Sequence, residues 1–426
     1  MVKIYLETYG CSLNNSDSEV MAGLLKEAGF EIVHDLESSD LCILNSCIVK
    51  SPTEDKIVHR LKEIKAKKQV ILAGCLPQAR PEKFVDVSKI GTYQVNNILD
   101  VVNATLAGHI VTLVAQEDNE RLNLPVIRKS EFVEIIPICR GCLGKCTYCI
   151  TQKARGKLRS YSVEDIVEQA ERAVDNGVKQ IWLTAQDCGA YGKDIGSNLV
   201  LLLQRLVKID GDFMIRVGMM NPDHTLEIAD ELIEVFMDKK IFEFFHMPVQ
   251  AGNDKVLKLM KRKYKVQQFK DLVKKIKGIL KHSTIATDII CGFPGETKDQ
   301  FKDSLNLIDE LKPDVLNISR YWKRAGTLSA KMKQLPPRVI KERSKAMTVM
   351  FHKKAMERNT DWLNWRGDVF ISEKGTIDGS YQGRNFAYKP VVVLSHENLV
   401  GKTVYVKVID VGKFDLKAKI IKKEEN

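Results

Sequence analysis

No stretch of this 426-residue chain approaches the roughly 18 uninterrupted apolar residues that a membrane-spanning helix needs. The N-terminus, Met1-Val-Lys-Ile-Tyr-Leu6, lacks the charged, apolar and small-residue regions of an export signal and enters a strand pattern at once. Neither secretion nor membrane insertion is expected, and the expected location is cytoplasmic. Cysteine is scarce as well. Ten residues are too few for a disulfide scaffold, and in a chain without an export signal their spacing reads better as metal ligation. Acidic side chains are outnumbered, 55 against 66 basic, so the net charge of +11 biases partners towards polyanions: RNA, DNA or an acidic surface. What is present is an ordinary 44% of apolar residues on a chain too long for one core, which implies two or three domains.

The first hundred residues alternate short apolar runs (Ile4 to Leu6, Leu41 to Leu44, Val70 to Ala73) with helical patterns at about 16–28, 53–66 and 96–107. That alternation predicts a parallel sheet wrapped by helices. Between Gly108 and Ser130 it dissolves into a polar stretch, which reads as a linker. A second alternation then begins, with strands expected at 133–138, 180–184, 213–217, 242–247, 284–290 and 314–319, and helices such as 163–175, 226–236, 266–280 and 297–310 between them. Six βα units suggest a partial rather than an eightfold barrel. After Asp361 the pattern becomes β-rich runs divided by glycines, as in a small all-β barrel.

Cys11, Cys47 and Cys75 each follow an expected strand and precede a helix. Carboxyl ends of parallel strands share one edge, so these thiols should face one crevice, where they would suit an iron–sulfur cluster or a zinc with an open position. Cys42 lies mid-strand and is expected in the core. The second group, Cys139-Arg-Gly-Cys-Leu-Gly-Lys-Cys-Thr-Tyr-Cys149, allows two registers. All four thiols could chelate a structural zinc. Cys142, Cys146 and Cys149 alone, with Tyr148 before the last, give the CxxxCxxC pattern of radical S-adenosylmethionine enzymes. There three thiolates hold three irons of a four-iron cluster and the fourth binds the amino and carboxylate groups of S-adenosylmethionine. Cys139 is then left to pack at the strand end.

Other strand ends of the second alternation carry polar residues: Gln186, Asp187, Asn221, Gln250, Glu296 and Arg320. Of these, Gln186, Asp187, Gln250 and Arg320, with Tyr148, are the candidate S-adenosylmethionine contacts, since they belong to the catalytic face of such a barrel. His224 and His246 read as satisfied structural histidines, and Cys188 and Cys291 receive no role. The excess positive charge is concentrated: 255–281 holds eleven Lys/Arg against Asp271, and 312–345 ten against Asp314 and Glu342. Lys270, Lys274, Lys277 and Lys281 recur at helical spacing as one basic face, and Lys153, Arg155, Lys157 and Arg159 follow the second cysteine group. Near the C-terminus Arg384, Lys389, Lys402 and Lys407 mingle with Tyr381, Phe386 and Tyr388, a mixture suited to RNA.

With these residues in hand the chain resembles the radical S-adenosylmethionine methylthiotransferases over nearly its whole length. The matching segments are Thr8-Tyr-Gly-Cys-Ser-Leu-Asn-Asn-Ser-Asp-Ser-Glu19, Asn45-Ser-Cys47, Gly74-Cys-Leu-Pro-Gln78, the CxxxCxxC group, Ala154-Arg-Gly156, His246-Met-Pro-Val-Gln-Ala-Gly252 and Gly292-Phe-Pro-Gly-Glu-Thr297. The resemblance implies an α/β N-terminal domain (1–112) holding an auxiliary four-iron cluster on Cys11, Cys47 and Cys75, and a linker (113–131). A radical core (132–358) and a small RNA-binding β-barrel of the TRAM type (359–426) would follow. Two [4Fe-4S] clusters and S-adenosylmethionine are the implied cofactors. The branch it resembles most is the archaeal and eukaryotic one acting on N6-threonylcarbamoyladenosine at tRNA position 37, through segments such as Asn317-Ile-Ser-Arg-Tyr321 and Gly383-Arg-Asn-Phe-Ala-Tyr-Lys-Pro390. It departs from the family at Cys139 and at Trp322-Lys-Arg-Ala325. The implied partners are the tRNA anticodon stem-loop, an electron donor and a sulfur source, with no membrane, and a monomer is expected. Two alternatives remain: methylthiolation of another modified adenosine or of a ribosomal-protein aspartate, and a non-catalytic iron–sulfur or zinc RNA-binding protein.

Overall fold

The structure is a computed structural model that describes residues 1–49, 51–117 and 121–423. Part of the linker (118–120) and the last three residues of the expected barrel domain lie outside the described residues. The chain forms two compact units: Met1–Asn198 with Arg324–Thr327, and Leu199–Lys323 with the chain from Leu328 onwards.

In the first unit a six-stranded sheet runs in the order Glu31–Val33, Lys3–Thr8, Leu41–Ser46, Gln69–Gly74, Ser88–Gly91, Thr112–Leu113, with all pairings parallel. The central strand Leu41–Ser46 is buried on both faces, as the unbroken apolar run Leu41 to Leu44 dictates, because helices cover a parallel sheet on either side. The helices Ser12–Glu27, Ser51–Lys65 and Ile98–Leu106 stand within a few residues of the expected ones. A further parallel pair, Val133–Pro137 with Gln180–Thr184, opens the second alternation. Its connecting helix Val163–Asp175 is capped by Ser162, whose hydroxyl accepts from the Asp165 N–H, and buries one stripe of Ile166, Val167, Ala170 and Ala173.

The second unit contains the strand Met214–Val217 and the parallel triple Phe244–His246, Thr284–Cys291, Val315–Arg320. The expected helix at 226–236 is two: Pro222–Glu227 and Ala229–Val235. Helices Val266–Ile279 and Lys298–Leu311 match their expected spans, the latter started by a Thr297/Gln300 capping box. A 23-residue helix, Pro337–Asn359, leads to a closed five-stranded barrel in which Arg366–Lys374 pairs with both Ser380–Arg384 and Thr403–Val411. Val369, Ile371, Val391, Val393, Val406, Val408 and Leu416 fill that barrel. Among the described residues no helix is long and apolar enough to cross a membrane.

Candidate functional site

Cys11, Cys47 and Cys75 follow three neighbouring parallel strands, so strand direction alone delivers them to one edge of the sheet. Asn14 gathers two of them. Its Oδ1 lies 3.6 Å from Cys75 Sγ and 3.8 Å from Cys11 Sγ, while its Nδ2 donates to the carbonyls of Tyr9 and Ser46 at 3.0 and 2.9 Å. Cys47 stands close by: a Cβ placed on Gly10 would meet the Cβ of Cys47 at 3.2 Å. Gly74 makes the turn into Cys75 with φ +91°, and any side chain there would strike Asn45 Oδ1 at 2.2 Å. Cys11 is exposed and the other two are buried, so Cys11 forms the mouth of the crevice. Burial pushes the Cys75 thiol up to about 11 and raises that of Cys47, so ligation must displace protons.

The second group sits on a loop between the short antiparallel strands Cys139–Arg140 and Arg159–Ser160. Gly141 enters it with φ +71°, its α-carbon so close to the Lys157 carbonyl that a Cβ would lie 1.8 Å from that oxygen. Its N–H donates to Gln186 Oε1 at 2.7 Å, which pins the loop to the end of the strand Gln180–Thr184. The Gly144 N–H points at Cys142 Sγ, 3.2 Å away, and a Cβ on Gly144 would touch both Cys142 Sγ and Cys146 Sγ. Burial pushes the Cys142 thiol up to about 12. Cys139 is fully buried, its Sγ 3.8 Å from the Asp187 carbonyl.

Behind the first thiols lie buried charges. Arg155, 2% exposed, donates from Nη2 to Asn14 Oδ1 at 2.9 Å and to Asp17 at 2.7 Å. Asp17 is also paired with Arg121. Burial works against the Arg155 charge, but Asp17, Cys75 and Cys11 outweigh it and raise its pKa. On the Cys47 side Glu54 is shared by Arg80 at 2.5 Å and Arg324 at 2.7 Å, and Arg324 also donates to the Val49 carbonyl. Of these six charged residues only Arg155 stood out on sequence, and as a member of the basic run 153–159 rather than as a buried charge. The readable signal is the run Asn14, Ser16, Asp17, Ser18 and Glu19, all buried in the first turns of Ser12–Glu27: polar side chains of a helix are buried only where something polar meets them.

These donors fit iron–sulfur groups: two sets of three thiols on loops at strand ends, an N–H aimed at one sulfur, and buried positive charge beside the other set. Among the described residues no three His, Cys, Asp or Glu side chains gather closely enough around one point to hold a single ion. A polynuclear group is larger and is gripped from further apart.

The remaining strand-end residues divide. Asp187 is buried and accepts from the Gly189 N–H at 3.1 Å, and Tyr148 is half-buried in the second cysteine loop. In the second unit Gln250 adopts φ +70° and bonds through its backbone to Asp288 and Ile290. Arg320 is exposed and donates to Ser344 at 3.0 Å. Asn221 is held by Arg262, and Glu296 is buried against Arg343 at 2.5 Å. His246 meets Asp288 at 3.2 Å and His224 meets Glu227 at 3.7 Å, the satisfied condition expected of them.

Two sequence expectations require correction. The stripe Lys270, Lys274, Lys277, Lys281 is not a uniform basic face: Lys270 pairs with Glu310, and Lys277 bonds to Ser283 and to buried Asp314. Helical spacing placed them on one side, but neighbouring elements bring acids to that side. In the barrel Lys389 and Tyr381 are buried, not exposed: Lys389 Nζ lies 2.9 Å from Asp314 and 2.7 Å from Asn359. Lys402 is exposed, and Arg384 and Lys407 are half-exposed.

A family model described as the Radical SAM superfamily matches residues 136–308, and one described as Uncharacterized protein family UPF0004 matches residues 3–93. The chain is 41% identical over 426 residues to the threonylcarbamoyladenosine tRNA methylthiotransferase of Xenopus laevis, covering 97% of this chain and 76% of that one. It is 40% identical to the protein of that name from Homo sapiens, covering 97% and 73%, and 42% identical to a probable one from Pyrococcus abyssi, covering 92% and 94%. Among solved structures it is similar to the radical S-adenosylmethionine methyltransferase TsrM from Kitasatospora setae with cobalamin and a [4Fe-4S] cluster bound (TM-score 0.56, 15% identity, 75% of each chain). It is similar too to the cobalamin-dependent S-adenosylmethionine radical enzyme OxsB (TM-score 0.51, 12% identity, 83% of this chain and 56% of that one). At such identities the structural likeness speaks for the fold alone.

Proposed function

The chain belongs to the threonylcarbamoyladenosine tRNA methylthiotransferases, and from that premise we propose that it methylthiolates C2 of N6-threonylcarbamoyladenosine at position 37 of tRNA by radical S-adenosylmethionine chemistry. One observation carries the reading: two three-cysteine sites lie in one compact unit, and Arg155, six residues beyond Cys149, reaches the Asn14 that touches Cys11 and Cys75. Membership of the radical S-adenosylmethionine superfamily brings S-adenosylmethionine and a [4Fe-4S] cluster. We assign that cluster to Cys142, Cys146 and Cys149 and a second, auxiliary cluster to Cys11, Cys47 and Cys75.

The C2–H bond of adenine is too strong and too weakly acidic for side-chain bases. When bound, the two clusters and S-adenosylmethionine supply the one-electron chemistry and the sulfur that its replacement requires. The chain's own residues hold and shield. Gln186 fixes the cluster loop through Gly141, and the Gly144 N–H favours the thiolate form of Cys142. Tyr148, Gln186, Asp187, Gln250 and Arg320 are proposed to contact S-adenosylmethionine. The domain limits proposed are 1–112, 113–131, 132–358 and 359–426, with the last binding RNA. The partners proposed are the anticodon stem-loop, an electron donor and a sulfur source, in the cytoplasm, with the enzyme acting as a monomer. Mass spectrometry of tRNA nucleosides from a strain lacking the gene tests the reading. Loss of the 2-methylthio form with accumulation of N6-threonylcarbamoyladenosine is expected, whereas intact tRNA and an altered ribosomal-protein aspartate would overturn it.

A further inference from the structure

Two carboxylates buried around Cys11, Cys47 and Cys75 are each shared by two arginines. Asp17 lies between Arg121 and Arg155, and Glu54 between Arg80 and Arg324. Among the described residues each trio keeps one surplus positive charge. Burying such a charge is costly unless something anionic faces it. Two of the arginines also have a buried terminal nitrogen without a hydrogen-bond acceptor among the described residues: Nη1 of Arg155 and Nη2 of Arg324. Both residues are nearly inaccessible, at 2% and 3% exposure. Arg155 is separated from Cys75 and Cys11 only by the Asn14 oxygen that all three contact, and Arg324 holds the carbonyl of Val49, two residues beyond Cys47. Arg155 interacts electrostatically with Cys75 and Cys11, and Arg324 with Cys47.

From this charge count and these two orphaned donors we propose that Arg155 and Arg324 form an anion-selecting wall around the N-terminal thiols, built to hold a small sulfur anion of the hydrosulfide or methanethiolate class beside them. The proposal rests on the assignment of an auxiliary cluster to Cys11, Cys47 and Cys75. An oxidised four-iron cluster on three thiolates would carry one net negative charge, and two with an anion on its open iron, which matches the two surplus positive charges. Arg155 and Arg324 act on the bound anion as positioning residues. Guanidinium donors suit this task because they stay charged when buried and bond in a fixed fork.

The test uses full-length, anaerobically reconstituted protein carrying Cys142→Ala, Cys146→Ala and Cys149→Ala, so that only the N-terminal site is read. Sodium methanethiolate, and sodium hydrosulfide in parallel, are titrated while the electron paramagnetic resonance of the reduced site is followed. Arg155→Gln and Arg324→Gln should each weaken anion binding about tenfold or more, the loss of one charge-assisted hydrogen bond, with Arg155→Lys in between. Asp17→Asn decides between this role and a merely structural one. It breaks the same ion pair yet enlarges the positive surplus, so binding should become tighter; a bolt between elements would loosen in Asp17→Asn as it does in Arg155→Gln. If Asp17→Asn fails to retain iron, Glu54→Gln makes the same comparison on the other side. Wild-type affinity in both arginine variants, or weakening in the carboxylate variants, overturns the inference. Iron content that Cys11→Ala leaves unchanged would instead overturn the cluster assignment beneath it.

Discussion

At the scale of single residues, the six cysteines and Gly74 carry the sharpest expectations. Reconstituted protein should hold about eight irons, and Cys11→Ala or Cys142→Ala should each halve that by iron assay. Cys146→Ala should abolish formation of 5′-deoxyadenosine, whereas Cys47→Ala should leave cleavage of S-adenosylmethionine substantial and remove the methylthiolated product. Equal loss of cleavage in both would contradict the division between the sites. Gly74→Ala should destabilise the protein by more than about 1 kcal/mol in chemical denaturation and lower its iron content. Its φ of +91° strains any other residue, and the added carbon collides with Asn45. The sequence exposed the cysteines because metal ligation needs particular atoms at particular spacings. It hid Asp17 and Arg155, which look like ordinary surface charges until a distant segment buries them.

At the scale of elements, the helix Ser12–Glu27 does more than cover a sheet. Glu19 accepts from the Lys129 N–H at 2.9 Å and its carbonyl from the Ile127 N–H, which ties the last part of the expected linker to this helix. Gly23 lets that segment approach, since a Cβ there would lie 2.1 Å from the Pro125 oxygen. Burial pushes the Glu19 carboxyl up to about 7, with the Lys129 N–H opposing and Glu134 reinforcing. The folded state therefore favours protonated Glu19. Its contribution to stability is complete below about 4.5, the ordinary value, and fades as the pH rises through about 7. Glu19→Gln, neutral at every pH, should melt at a progressively higher temperature than the wild type between about pH 5 and 8, a gain of roughly 1–3 kcal/mol by the upper end. A pH-independent difference would show that Glu19 is charged in the fold.

The opposite sign applies to Asp314 at the start of Val315–Arg320. Although burial opposes its charge, Lys389, Lys277 and Arg358 hold its carboxyl down at about 2. That stabilisation is present above the ordinary value of 3.8 and disappears as the pH falls towards about 2. Asp314→Asn should cost about 3 kcal/mol or more, because it removes the only carboxylate paired with buried Lys389 among the described residues and one shared by the partly buried Lys277 and Arg358, and urea denaturation monitored by tryptophan fluorescence would read it.

At the scale of the whole molecule, the barrel is not a free appendage of the second unit. Lys389 neutralises Asp314, the Phe386 carbonyl accepts from the Glu243 N–H, and Tyr388 packs on Phe242 and Phe244 with ring centres 4.9 and 5.1 Å away. Truncation after Asn359 would uncover these surfaces, so loss of tRNA binding in such a variant would confound recognition with folding. Lys402→Ala and Lys407→Ala leave that interface alone, while Arg384→Ala removes a guanidinium that stacks on Tyr388, 4.8 Å from the ring centre. If the barrel binds RNA, each change that removes a phosphate contact should weaken tRNA binding and reduce the salt slope by about one, with both clusters and uncoupled cleavage of S-adenosylmethionine intact. An unchanged slope in all three would place recognition elsewhere.

The alternation of strands and helices, the parallel first sheet, the terminal barrel and the two cysteine groups could be read from the sequence alone, though not the helices Leu199–Leu206 and Pro337–Asn359. Hydrophobic period and ligand spacing are local properties, and local properties survive without a fold. Tertiary structure alone decided which charges are buried and with whom. Arg155 and Asp17 are 138 positions apart, Arg324 and Glu54 are 270, and Lys389 looks like any surface lysine until Asp314 is brought within 2.9 Å. Pairing at that range leaves no periodic trace, because a charge is assigned to core or surface by whatever the packed backbone places beside it, and only the folded chain supplies that neighbour.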